Sequence, residues 1–172
     1  MADTPPTDIS VSEFLRRLDA GWADLQAFLG GLTPEQMTGP ADAVGWTVRD
    51  HLIHIVVWED GMNALFEGES RRERMGIPEN LWGSDDYDQV NAVIQTSHKG
   101  DSLDSVLSEL TRVHNAFRAH IAAMSDADLL RPYSSFTPDS TSSNPIVWTL
   151  VGNSFGHYEE HLPWMQAIVA QT

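Results

Sequence analysis

The stretch GHYEEHLPW sets His157 and His161 four residues apart, with Glu159 and Glu160 between them and Pro163 two residues beyond. On a helix, side chains at i and i+4 lie one turn apart and lean the same way, so two imidazoles at that spacing can bind one ion. A third ligand has to come from another element, and WTVRDHLIHIVVWED offers His51 and His54. Three neutral imidazoles would leave a divalent ion with open positions for water or substrate, a catalytic type of site. Such an ion can polarise a substrate oxygen, lower the pKa of bound water to about 7, or hold a thiol as its thiolate. Imidazole suits zinc, nickel, copper or iron, with zinc and nickel the first expectation for this chain. The bland reading is two polar residues on a wet helix face, since a short spacing motif recurs by chance.

The choice between these readings rests on the helices that carry the histidines. Four long helical stretches are legible, joined by segments rich in glycine, proline and serine. The first follows Ser10 or Ser12 as N-cap, with Glu13 placed for a capping box, and ends at Gly30-Gly31. A linker over 32–45 contains TPEQ, a short capped turn. The second helix runs from about Thr47 to Phe66, with Gly68 as its stop. A charged loop over 69–83 precedes a shorter helix from about Asp85 to Ser97. The third long helix spans about Ser102 to Met124, followed by a capped turn, SDADLL, and an irregular polar loop, YSSFTPDSTSSNP. The fourth takes Asn144 as cap and Pro145 at the first helical position, and continues to about Ala170. No period-two strand pattern is sustained, so the expected fold is all-α: one four-helix-bundle domain over 1–172, in up-down-up-down or crossover topology.

At about 100° per residue, the apolar side of the last helix centres on Ile146, Leu150, Trp164 and Ile168, and His157 and His161 fall among them. Glu159 points roughly 160° from His157 and Glu160 only about 60°, which makes Glu159 the solvent residue and Glu160 a candidate proton carrier. On the second helix His51 falls about 60° from the centre of the apolar stripe and His54 about 120°. Periodicity therefore favours His51, although this helix is apolar most of the way round. Glu59 falls on its apolar side, as a carboxylate ligand, a proton carrier or a surface acid. Asn153, one turn before His157, is a candidate contact for substrate. Gly152 and Gly156 would let a neighbouring helix come close, and Pro163 should kink the helix near His161. His98, His114 and His120 read as solvated or paired with nearby acids, the last two being too far round their helix to share an ion.

Composition narrows the chemistry. Twenty-five acidic residues against ten basic give a net charge of −15, which repels nucleic acid and anionic membranes. Lys99 is the only lysine, in a polar SHKGDS turn, so a Schiff base is discounted. Without cysteine there is no disulfide, thiolate ligand or protein nucleophilic thiol, and thiol chemistry would need a thiol brought as cosubstrate. The acidic, proline-rich start and the lack of a long apolar run predict a soluble, cytoplasmic protein.

The segments GWTVRDHLIHIVVWE and WTLVGNSFGHYEEH resemble those of the DinB-like superfamily, and in particular its DfsB-like branch; DQVN, SLDSVLSEL and MSDADLLRP are compatible with it. The resemblance implies a four-helix bundle with a three-histidine divalent-metal site. In that pattern the second-helix ligand lies eight residues after the tryptophan. From Trp46 this is His54, with His157 and His161 completing the set and His51 left as a packing or supporting residue. Relatives include thiol-dependent S-transferases using bacillithiol or mycothiol, maleylpyruvate isomerases and self-resistance proteins. The resemblance therefore implies a small-molecule detoxification or stress enzyme, first a thiol S-transferase, with a metal-dependent hydrolase as the alternative. It also makes a homodimer plausible. A non-catalytic binder that holds a hydrophobic compound beside Trp58 and Trp164 is the rival from outside enzymology, and a bundle serving only as an oligomerisation unit is a third.

Overall fold

A computed structural model describes residues 9–83, 86–137 and 140–171. Its long helices are α1 (Val11–Gly30), α3 (Val48–Phe66), α6 (Leu103–Ala122) and α9 (Phe155–Val169). Between them run α2 (Pro34–Thr38), α4 (Arg71–Arg74), α5 (Tyr87–Ser97), α7 (Asp126–Leu129) and α8 (Ile146–Gly152), with 3₁₀ turns at Glu79–Leu81 and Tyr133–Ser135. Among the described residues there are no strands, only isolated bridges between Ala41 and Thr47 and between Pro132 and Pro145. The expected helix start at Asp85, the Pro138-Asp139 step of the polar loop and most of the N-terminal segment lie outside the described residues.

Capping residues fix most of the boundaries. Ser10 accepts from the Glu13 amide, but the Glu13 carboxylate turns outward to Arg16 at 2.7 Å, so only half of the expected capping box forms. Full boxes form at Thr33/Gln36, Thr47/Asp50 and Ser125/Asp128, each satisfying two amides that a helix start leaves unpaired. Helix α3 stops where Gly68 takes a φ of +73°, a left-handed conformation that a side chain would oppose. The charged 69–83 segment contains α4 and a 3₁₀ turn rather than being all loop, because Ser70 caps the Glu73 amide and Met75 and Ile77 are buried against the bundle.

Helices α1 and α3 occupy opposite corners, each packed between α6 and α9. The links from α1 to α3 and from α6 to α9 therefore cross the bundle, the crossover form of the two expected topologies. Helix α3 is buried on nearly every side, from Val48 to Leu65. This explains its weak amphipathic signal: α6, α9, α2, α4 and α5 all pack on it. Phe14, Phe117 and Phe155 stack in the core beneath α1, with Phe14 edge-on to Phe155 at 5.0 Å.

The fourth helical stretch is not continuous. It breaks at Asn153 and Ser154, where Ser154 leaves the helical range at φ −137° and ψ −117°. Side chains bond the last carbonyls of α8: Ser154 Oγ donates to Leu150 O at 2.6 Å, and Asn153 Nδ2 joins its own backbone N–H on Thr149 O at 2.7 Å. Gly156 serves this break rather than a neighbouring helix. A Cβ on Gly156 would stand 2.8 Å from Val151 O across the joint, whereas one on Gly152 would meet nothing within 4 Å. Pro163 is carried inside α9, and the interruption falls earlier than the kink expected there. Pro145 is the cap position itself, one residue later than the expected cap at Asn144.

Candidate metal centre

Helices α3 and α9 cross so that His54, His157 and His161 converge. One ring nitrogen from each lies within 4.8 Å of the others, and all three rings are buried. His54 Nε2 faces His157 Nε2 at 3.0 Å, and the ring of His161 stands 4.7 Å from that of His54 and 4.5 Å from that of His157. Periodicity placed His51 nearer the core than His54. In the structure both are buried, because α3 has no wet side for periodicity to register.

Burial penalises the imidazolium form, and neighbouring imidazoles add repulsion. The pKa of His157 falls to about 4 and that of His161 to about 2, while that of His54 moves down further still. The rings are therefore neutral at pH 7, each with one nitrogen lone pair to give. As they stand, one Nε2–H of the His54–His157 pair donates to the other ring. Two lone pairs at this separation would equally suit two ligands of one ion, at metal–nitrogen distances of ~2.0–2.1 Å. The donor set of neutral imidazoles thus fits a divalent metal, and the trio could hold one.

His51 supports the trio from behind. Its Nδ1 lies 2.9 Å from His161 Nδ1, and its Nε2 faces Asp42 Oδ2 at 3.6 Å. Asp42 is itself fixed by the turn before α3, where its Oδ1 accepts from the amides of Val44 and Trp46. The Trp46 ring meets His51 and His54 edge-on at 5.2 and 5.3 Å. The buried Nδ1 atoms of His54 and His157 have no hydrogen-bond partner.

The histidines open onto a cavity of about 1180 Å³, walled by the α2–α3 turn, α3, α4, α5, Tyr133, Ser140, Ser142, Asn144, α8 and α9. Glu160 and Asn153 both line it; Glu160 is exposed at the rim, while Asn153 Oδ1 accepts from Arg71 Nη2 at 2.9 Å. Trp58 and Trp164 line it as well, Trp164 being 47% exposed. Glu59 is elsewhere, fully buried inside the bundle. Its Oε2 accepts from the Tyr158 hydroxyl at 2.7 Å, and His114 Nδ1 lies 3.1 Å from that same hydroxyl and 3.7 Å from Glu59 Oε1. Trp22 stacks on His114 at 3.8 Å. His114 is thus a core residue with an acid at hand, while His98 pairs with Asp101 and His120 faces Glu67 near the surface.

Sequence reasoning missed Arg71 and Asp42. Arg71 is one of three arginines in the run SRRER, and the signal that could have singled it out is its place one turn before the apolar Met75. Asp42 would have needed the fold of the 41–47 turn.

A family model described as the DinB superfamily matches residues 17–166. The chain belongs to the DinB superfamily. The fold of this DinB chain is shared by solved structures of low sequence identity. An uncharacterised protein from Escherichia coli UTI89 aligns at 16% identity over 94% of each chain, with a TM-score of 0.73. The colibactin self-resistance protein ClbS, solved with double-stranded DNA, aligns at 13% identity over 95% of this chain and 96% of its own, with a TM-score of 0.73. DfsB, described as a sibling lethal factor precursor, aligns at 17% identity over 94% of each chain, with a TM-score of 0.65. No curated protein matches the chain by sequence.

Proposed function

We propose that this DinB protein is a divalent-metal enzyme of small-molecule detoxification, with His54, His157 and His161 holding the ion. The observation that carries the reading is three neutral, buried imidazoles converging at the floor of a large cavity. A closed structural site would have no such opening. When bound, zinc or nickel would supply a Lewis acid able to keep a thiol or a water deprotonated at neutral pH. The chain's own residues would do the rest. Glu160, at the rim, is the group placed to take up or release the proton, and Asn153, held between Arg71 and Thr149, presents a fixed polar edge to a substrate. Glu59 does not line the cavity; its role is to orient Tyr158, next to His157, through their hydrogen bond.

Transfer of a low-molecular-weight thiol to an electrophile is the leading reaction, on the family resemblance; the lack of cysteine suits an imported thiol and suits hydrolysis by metal-bound hydroxide equally. That the fold-sharing ClbS is a self-resistance protein supports a protective role here but identifies no substrate. The net charge of −15 argues against DNA as a partner here. No helix among the described residues is long and apolar enough to cross a membrane.

The test is metal analysis of protein purified without an affinity tag. Near-stoichiometric metal is expected, lost in His54→Ala and His157→Ala and kept in His114→Ala. Metal retained in all three variants, or absent from the native protein, would refute the site. Turnover of electrophiles that needs both metal and added thiol identifies the transferase; turnover with metal alone identifies a hydrolase.

A further inference from the structure

The metal reading leaves one cation of the cavity without a task. Arg71 opens α4, behind the Ser70 cap, and reaches into the cavity. Its Nη2 donates to Asn153, but its Nε is buried with no partner. The guanidinium carbon stands 5.3 Å from the centre of the Trp58 ring and 5.7 Å from that of Trp82. Seven of the nine arginines have a carboxylate within 4.0 Å. Arg17 lies over the Phe155 ring at 4.6 Å. Among the described residues Arg71 has no acid partner, in a chain with twenty-five acids to choose from.

The acids that line the cavity are placed otherwise. Asp42 faces His51, and Asp88 and Glu160 are exposed on the rim. Burial presses the Arg71 pKa below the ordinary guanidinium value, with the hydroxyls of Tyr133 and Tyr87 the opposing influences. A half-buried cation without a counter-charge is unfavourable unless something else supplies one. A second donor among the lining residues, Trp148 Nε1, is likewise buried and unpartnered. Both missing partners are acceptors.

We propose that Arg71 is the subsite for an anionic oxygen group, a carboxylate or a phosphate, carried by a substrate whose reacting end is directed toward the histidines. The direction toward the histidines rests on the metal-site reading; the anion subsite itself does not. Guanidinium is suited to this task because its planar fork can meet two oxygens at once, while the flanking indoles favour a flat apolar body next to the acid group.

The experiment is a calorimetric titration of metal-stripped and zinc-loaded protein with benzoate, its neutral analogue benzamide, and inorganic phosphate. Metal-stripped wild type should bind benzoate at least about tenfold more tightly than benzamide, with no variant required for that comparison. Arg71→Met should reduce benzoate to the benzamide level, Arg71→Lys should keep part of the preference, and both should retain full metal content. Phosphate binding as tight as benzoate would assign the subsite to phosphate esters; benzoate alone would assign it to carboxylates. Equal binding of benzoate and benzamide, no binding of either anion, or wild-type affinity in folded Arg71→Met would overturn the proposal. If wild type held no metal yet bound the anion through Arg71, the metal reading would fail and this one would stand.

Discussion

His51 Nδ1 stands 2.9 Å from His161 Nδ1, so a residue outside the converging trio fixes the ring plane of one of its members. Partners of this kind set the tautomer and orientation of a ligating imidazole, and removing them typically lowers metal affinity 10–100-fold. His51→Ala should therefore bind zinc about tenfold or more weakly in competition with a chromogenic chelator, while still binding it. His54→Ala should show no specific binding. Unchanged affinity in His51→Ala would mean that His161 is held by packing alone.

Metal removal should be visible in stability. An ion bound only by the folded chain contributes about 2.7 kcal/mol when its free concentration is a hundredfold above Kd. For a domain of this size that corresponds to a Tm lower by roughly 5–10 °C after chelation. The shift should vanish in His157→Ala, and a chelator effect of equal size in that variant would sink the prediction.

The joint between α8 and α9 gives a paired test. Gly156→Ala brings a Cβ to 2.8 Å from Val151 O, so α9 must move against α8. A cost of about 1–3 kcal/mol is expected in urea denaturation, with weaker metal binding because His157 is the next residue. Gly152→Ala meets nothing within 4 Å and should be neutral or stabilise by about 0.5–1 kcal/mol. Equal effects at the two positions would contradict the assignment of Gly156 to the joint.

Glu59 predicts a pH dependence. Burial raises its carboxyl above the ordinary glutamate value, outweighing the hydrogen bond accepted from Tyr158 and the nearby His114 ring. The folded chain therefore keeps a proton that the unfolded chain has already released. The stability this contributes is present at acid pH and is lost as pH rises through the folded-state value, at up to about 1.4 kcal/mol per pH unit. Glu59→Gln keeps an acceptor for the Tyr158 hydroxyl but does not titrate. Its stability relative to wild type should improve as pH rises above the ordinary glutamate value; a flat difference would show that Glu59 ionises in the fold as it does in water.

Where caps and stripes act locally, the sequence was a good guide. Ser10, Thr47 and Ser102 start their helices as expected, and the alternation of apolar residues in α1 and α6 matches what is buried. The wheel failed on α3 because it assumes one wet face, and this helix has helices around it on most sides. It failed differently on the last stretch: an apolar pattern runs through Asn153 and Ser154 unchanged, and only side-chain bonds to Thr149 O and Leu150 O reveal the break. The selection of His54 came from the family pattern, not from periodicity. Arg71 was invisible because its meaning depends on what surrounds it, and a run of three arginines in five residues reads as solvated surface.

The break between α8 and α9 also divides labour along the chain. Trp148, Thr149 and Gly152 shape the cavity wall from α8, while His157 and His161 ride on α9. With the helical rod interrupted between them, no continuous helix carries a twist of α8 into the histidine pair. Cavity shape and histidine geometry are thus carried on separate half-helices, and each can be altered by substitutions confined to its own half.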